Sequence, residues 1–167
     1  MTWNRPSIEQ LMLIQFSHET TANTLVWTTY LLAVNPGIQS RLRDEIRAKL
    51  PLGMSTTEKD LDIAATLESM PFLNAVCNEV LRLYPVAPVT LRRSIRPTMI
   101  GGTLIPANTQ VIISPWAINH SPHLWGPDAI EFSPYRWIDK ETGQANNHGG
   151  ATRYIILEIL SAIAMTC

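Results

Sequence analysis

Cysteine is scarce in this chain of 167 residues: Cys77 lies in an apolar stretch and Cys167 is the last residue. Two thiols so placed form neither a disulfide framework nor a zinc spacing, which fits a reducing compartment. Charge of one sign is lacking too. With 13 basic and 14 acidic side chains the formal net charge is -1, and the two signs are interspersed. That leaves no basic face for nucleic acid or an acidic membrane surface. No window reaches the ~18 consecutive apolar residues of a membrane span. The opening Met1-Thr2-Trp3-Asn4-Arg5-Pro6 lacks the apolar core of a secretory signal, so the chain reads as soluble. Internal repeats and low-complexity tracts are absent.

What is present is enough apolar material for one packed domain: 46% of the residues are hydrophobic. Most of the 12 prolines fall between Pro71 and Pro134, and they divide the chain into two styles. Before them the pattern is helical. Ser7 and Gln10 form a capping-box pair, and the apolar run from Leu11 through Val34 predicts one long helix ended by Asn35-Pro36-Gly37. Pro36 suits the first position of a second helix, with Ile38, Leu42 and Ile46 inward and Arg41 and Glu45 on the wet face. It stops near Pro51-Leu52-Gly53. A polar loop, Ser55 to Asp60, leads to a short helical segment, and Pro71 opens another helix that stops at Pro85. Beyond it the period changes. Val89 to Ile95 and Thr109 to Ile113 predict short strands separated by turns at Gly101-Gly102 and Pro106-Ala107-Asn108. The fold class expected is therefore mainly α with a small β-sheet.

Three stretches carry more than core. Glu79 and Arg82 stand three apart, nearly one helical turn, among Phe72, Leu73, Val76, Val80 and Leu83. As a surface pair they would contribute tenths of a kcal/mol. Buried, each charge costs several kcal/mol unless further hydrogen bonds compensate, so a third polar partner is required. Arg136, between aromatics in Phe132-Ser133-Pro134-Tyr135-Arg136-Trp137, is the candidate, because a planar guanidinium can share a carboxylate with a second arginine. The third stretch, Ser17-His18-Glu19-Thr20-Thr21, interrupts the apolar first helix. Its hydroxyls either bond back to the preceding turn and open the helix locally, or mark an exposed turn. A zinc-protease reading of His18-Glu19 fails, since the second His would fall on Ala22.

Taken in order and spacing, His18-Glu19-Thr20-Thr21, Glu79-x-x-Arg82, Leu91-Arg92-Arg93, Trp125-Gly126-Pro127-Asp128-Ala129 and Phe132-x-Pro-x-Arg136-Trp137 resemble the C-terminal half of a cytochrome P-450, closest to fungal microsomal enzymes. The resemblance covers residues 8 to about 150. It implies a partial fold of that family, from the long distal-side helix to the loop before the haem-ligand segment. It also implies a haem cofactor, an apolar small-molecule substrate, a flavoprotein reductase as electron donor in full-length relatives, and no nucleic-acid partner. Full-length relatives resemble membrane-bound enzymes of the endoplasmic reticulum. By the same resemblance Thr20 and Glu19 are the catalytic proton-relay pair, Arg92 pairs with a haem propionate, and Glu79, Arg82 and Arg136 form a structural triad. Ala87-Pro88-Val89-Thr90 falls where relatives contact substrate.

The chain departs from the family twice. Phe16 and Ser17 stand where relatives carry a small residue and a glycine before the acid. After Asn146-Asn147-His148-Gly149-Gly150-Ala151-Thr152 the expected Phe-x-x-Gly-x-Arg-x-Cys-x-Gly, whose thiolate ligates iron, is replaced by the apolar Arg153 to Cys167. Residues 1–152 are thus expected to be the P-450 portion and 153–167 a divergent tail. No metal ligand is assigned. Cys167 lacks the flanking residues, Cys77 reads as a small buried hydrophobe, and His120, His123 and His148 read as surface residues. The expectation is a truncated or misread monooxygenase product, inactive in this form. The alternative is a non-catalytic helical fragment that acts through partner binding across the apolar surface its missing half would cover.

Overall fold

The computed structural model describes residues 8–50 and 63–146, with the side chains of the first helix from His18 onward. Helix α1 (Ile8–Val34) runs unbroken for 27 residues, so the polar segment Ser17–Thr21 does not open it. Hydroxyls further along the helix bond back to the preceding turn. Thr24 Oγ1 donates to Thr20 O at 3.0 Å, Thr28 Oγ1 to Thr24 O at 2.7 Å and Thr29 Oγ1 to Leu25 O at 2.8 Å. The helix ends where Asn35 Nδ2 donates to Leu31 O at 2.8 Å. Pro36 then occupies the first turn of α2 (Pro36–Lys49), where its missing N–H costs nothing. Ser7, Phe16, the loop from Ser55 to Asp60, His148 and the tail 153–167 lie outside the described residues or side chains.

A short helix α3 (Ile63–Glu68) precedes α4 (Pro71–Leu83). The core gathers where α1, α2 and α4 meet: Leu31, Leu42, Phe72, Val76 and Val80 are buried, with Trp27, Ile46, Tyr84 and Phe132 packed around them. Trp27 stacks flat on Tyr84, 3.8 Å between ring centroids, joining α1 to the residue after α4. Such a pair adds about 0.5–1.5 kcal/mol beyond the area it buries.

The N-terminal end of α4 is not capped by its own neighbour, since Met70 makes no side-chain cap. Instead Glu45 of α2 reaches across, accepting from Phe72 N at 3.0 Å and Leu73 N at 2.8 Å. A carboxylate there satisfies two orphan donors and complements the helix dipole. This corrects the expected wet-face position of Glu45. Arg41, on the same helix, is exposed but lies over Phe72 and Tyr135, 4.6 and 5.0 Å from their centroids.

After α4 the chain forms two nested antiparallel pairs. The outer pair joins β1 (Thr90–Arg93) to β4 (Gln110–Ile113), with Leu91 opposite Ile112 and Arg92 opposite Val111. The inner hairpin joins β2 (Thr98–Ile100) to β3 (Thr103–Ile105). Its two-residue turn is Gly101-Gly102, at φ 55° and 80°, the left-handed geometry that a tight hairpin demands and only glycine adopts without cost. Sequence periodicity missed β2 and β3 because three residues per strand show too little alternation. Ser94 ties the outer pair together: its Oγ donates to Pro106 O at 2.6 Å and accepts from Thr109 N at 3.0 Å.

Two short helices, α5 (Pro115–Asn119) and α6 (Pro122–Trp125), and a 3-10 turn at Pro134–Trp137 complete the described chain. The result is mainly helical with two small sheets. Among the described residues no helix is long and apolar enough to cross a membrane.

Candidate functional site

Glu79 is fully buried and Arg82 is 3% exposed, on the side of α4 that faces the 3-10 turn and the chain leading to it. Their three-residue spacing brings the side chains together in a fork: Arg82 Nε donates to Glu79 Oε2 and Nη2 to Oε1, both at 2.8 Å. Desolvating two charges is offset only if their remaining hydrogen-bonding capacity is filled, and here it is. Glu79 Oε1 also accepts from Ser133 N at 2.9 Å and Arg136 Nε at 3.0 Å, and Oε2 accepts from the Trp137 indole Nε1 at 2.8 Å. Arg82 spends its other N–H groups on backbone carbonyls: Nη1 on Asn119 O and Ala129 O, both at 2.6 Å, and Nη2 on Glu131 O at 3.1 Å. All of its guanidinium hydrogens are thereby used.

Arg136 completes the arrangement from the 3-10 turn. Beyond Glu79 it donates through Nη2 to Asp128 Oδ2 at 2.9 Å and Asp128 O at 3.1 Å, and through Nη1 to Trp125 O at 3.4 Å. Glu79, Arg82, Arg136 and Asp128 carry two charges of each sign, so the cluster is formally neutral. Trp125 roofs it, with the Arg82 guanidinium 5.0 Å from its ring centroid and Trp137 tilted against it at 5.8 Å. The chain turns into this cage at Gly126, whose φ of 89° suits glycine. A Cβ there would also meet Asp128 Oδ1 at 3.2 Å.

The sequence-derived residues divide between places. Glu79, Arg82 and Arg136 come together in the one cluster. Arg92 sits apart on β1, half-buried, its Nη1 donating to Thr90 Oγ1 and Leu91 O, each at 3.1 Å. Glu19, exposed, and Thr20, half-buried, are on α1. Cys77 is exposed, which corrects its reading as a buried hydrophobe; two residues from Glu79 on a helix, it projects from nearly the opposite side. His123 is exposed. His120 is half-buried and stacks on Trp116, with centroids 4.5 Å apart.

Sequence reasoning missed Trp137 as a ligand of the carboxylate, Ser133 N, Asp128 and Asn119. Trp137 had a signal: a buried indole N–H needs an acceptor. The carbonyls of Asn119, Ala129 and Glu131 had none, because backbone groups carry no residue identity.

A partly helical domain whose brace is a buried glutamate between two arginines, followed by nested hairpins, defines the class, and the comparisons agree with it. The family model "Cytochrome P450" matches residues 8–155. The cytochrome P450 monooxygenase sphH of Aspergillus fumigatus is 48% identical over 154 residues, covering 92% of this chain and 28% of that protein. The cytochrome P450 monooxygenase ptmK of Penicillium ochrochloron is 44% identical, covering 87% of this chain and 28% of its own length. Another relative, ALT8 of Alternaria alternata, is 42% identical over 134 residues. This chain belongs to the cytochrome P450 family, and it spans between a fifth and a third of the length of these relatives.

The family implies haem. Arg92, which the resemblance assigns to a haem carboxylate, is a half-buried cation on β1. Among the described residues the one thiol is Cys77, exposed on α4. The described residues therefore do not supply the axial thiolate of a haem.

Proposed function

We propose that this chain is the proton-relay and scaffold portion of a haem-dependent monooxygenase acting on an apolar small molecule with dioxygen and electrons from a flavoprotein reductase. Residues 1–152 form the P450 part and 153–167 a tail outside it. By itself the chain is not competent to oxidise, because its sequence contains no Phe-x-x-Gly-x-Arg-x-Cys-x-Gly segment. The observation that carries this reading is the Glu79 cluster, where two arginines converge on one buried carboxylate. Its role is mechanical: it fixes α4 to the segment ending at Trp137, ahead of the place where relatives carry their ligand loop. Glu19 and Thr20 are assigned to holding and passing a proton on α1. Arg92 is assigned to a carboxylate of the cofactor. Haem reconstitution followed by reduction under carbon monoxide tests the proposal. The expected spectrum lacks the thiolate-type Soret band, and the appearance of that band overturns the statement that the chain cannot supply the ligand.

A second reading, partner binding without catalysis, is favoured by one observation. Helix α1 presents Leu25, Val26 and Tyr30 to solvent at 60%, 65% and 54% exposure, and the outer sheet presents the cross-strand pair Leu91 and Ile112. Contiguous exposed apolar surface is what a partner-binding face requires. Size-exclusion chromatography discriminates: association is expected on this reading, and a monodisperse monomer argues against it.

A further inference from the structure

Asn119, the last residue of α5, is 2% exposed. Its Nδ2 donates to the backbone O of Arg82 at 3.0 Å. Its own backbone O receives Arg82 Nη1 at 2.6 Å. The two residues thus hold each other, the side chain of each bonded to the main chain of the other. Arg82 lies in the last turn of α4, where carbonyls have no partner within the helix. Asn119 supplies one from 37 residues away in sequence. The Asn119 Oδ1, by contrast, is buried without a hydrogen-bond partner among the described residues. A half-satisfied buried amide is costly, and a leucine would repeat its branched shape without that cost. The side chain therefore matters at this position through its N–H donor alone.

We propose that Asn119 is a positioning residue of the Glu79 cluster: it locks the last turn of α4 so that the Arg82 guanidinium presents its fork to Glu79. The proposal rests on the reading of Glu79, Arg82 and Arg136 as one brace. Loss of the amide frees Arg82 O and lets the final turn of α4 shift against α5. The guanidinium then leaves Glu79 more often, although the apolar core that Leu42, Val76 and Val80 build is untouched.

Hydrogen exchange in the full 167-residue chain tests this, read by NMR at two side-chain protons that report the cluster directly. These are Arg82 Nε–H and Trp137 Nε1–H, both bonded to Glu79 Oε2 at 2.8 Å. In Asn119→Leu both are expected to exchange about tenfold faster relative to the slowest core amides, the factor that loss of one ordinary buried hydrogen bond represents. Leu42→Ala, a core truncation, should speed side-chain and core protons by the same factor. Asn119→Ser, a smaller change, serves if the leucine variant does not fold, and an intermediate acceleration is expected. Equal acceleration of cluster and core protons in the Asn119 variants, or none, overturns the positioning role. An indole proton that exchanges at the unprotected rate in the unmodified chain overturns the brace itself, a separate outcome.

Discussion

The indole Nε1 of Trp137 and the carboxylate Oε2 of Glu79 lie 2.8 Å apart across 58 residues of sequence, and both side chains are buried. This bond joins the 3-10 turn to the middle of α4 without a second formal charge. Trp137→Phe keeps most of the ring and removes the donor. Because a hydrogen bond to a charged group is worth about 1.5–3 kcal/mol, the variant is expected to lose stability in that range. Urea unfolding of the two chains measures it.

The ion pair itself is more consequential. Removing one partner strands a buried charge, so Arg82→Met should cost about 3–5 kcal/mol and Glu79→Gln should fall in the same direction. A joint replacement of both residues by apolar ones should cost less than the sum of the single changes, since neither charge is then left alone. A double-mutant cycle on denaturation midpoints checks this, and additive losses would contradict the buried pair.

At the other end of α4, Glu45 accepts from Phe72 N and Leu73 N. Glu45→Ala should remove about 1 kcal/mol, the usual cost of losing a helix cap. Amide exchange at Phe72 and Leu73 should quicken before exchange deeper in the helix does.

Asp139 gives a pH dependence whose sign follows from its bonds. The backbone N–H of Thr142, and then that of Glu141, hold its carboxyl below the ordinary aspartate range. A carboxyl with a lowered folded-state pKa contributes stability above its unfolded pKa and loses it as pH falls through the folded one. The turn from Asp139 to Gln144 should therefore loosen only in acid, below the ordinary aspartate range. In Asp139→Asn that acid-dependent step should vanish. The Thr142 amide shift followed against pH provides the measurement, and a step that persists in the variant assigns it elsewhere.

Much of this architecture could be read in the sequence because proline and apolar spacing punctuate it. Pro36 and Pro71 each open a helix where the pattern placed one, and Glu79 with Arg82 demanded the partner that Arg136 supplies. The hairpin of β2 and β3 was illegible, since strands this short leave only Gly101-Gly102 as a signal. Glu45 was misplaced for another reason: helical periodicity reports which side of α2 a residue occupies, not that the amide end of α4 would come to meet it. Asn119 was invisible because its contribution is a bond to a main-chain oxygen. The exposure of Cys77 likewise depends on how much of the α4 surface other segments cover, and no local pattern encodes that.

The segment from Trp125 to Glu131 holds both arginines with carbonyl oxygens, those of Trp125, Asp128, Ala129 and Glu131, and with one side chain, Asp128. Such a grip recognises a path rather than an alphabet. Ile130, 72% exposed between two of those carbonyls, is free to drift in identity while the peptide it belongs to is not. The letters that must stay are those that steer the main chain, Gly126 above all, so this stretch can look divergent on paper and still close around the same two cations.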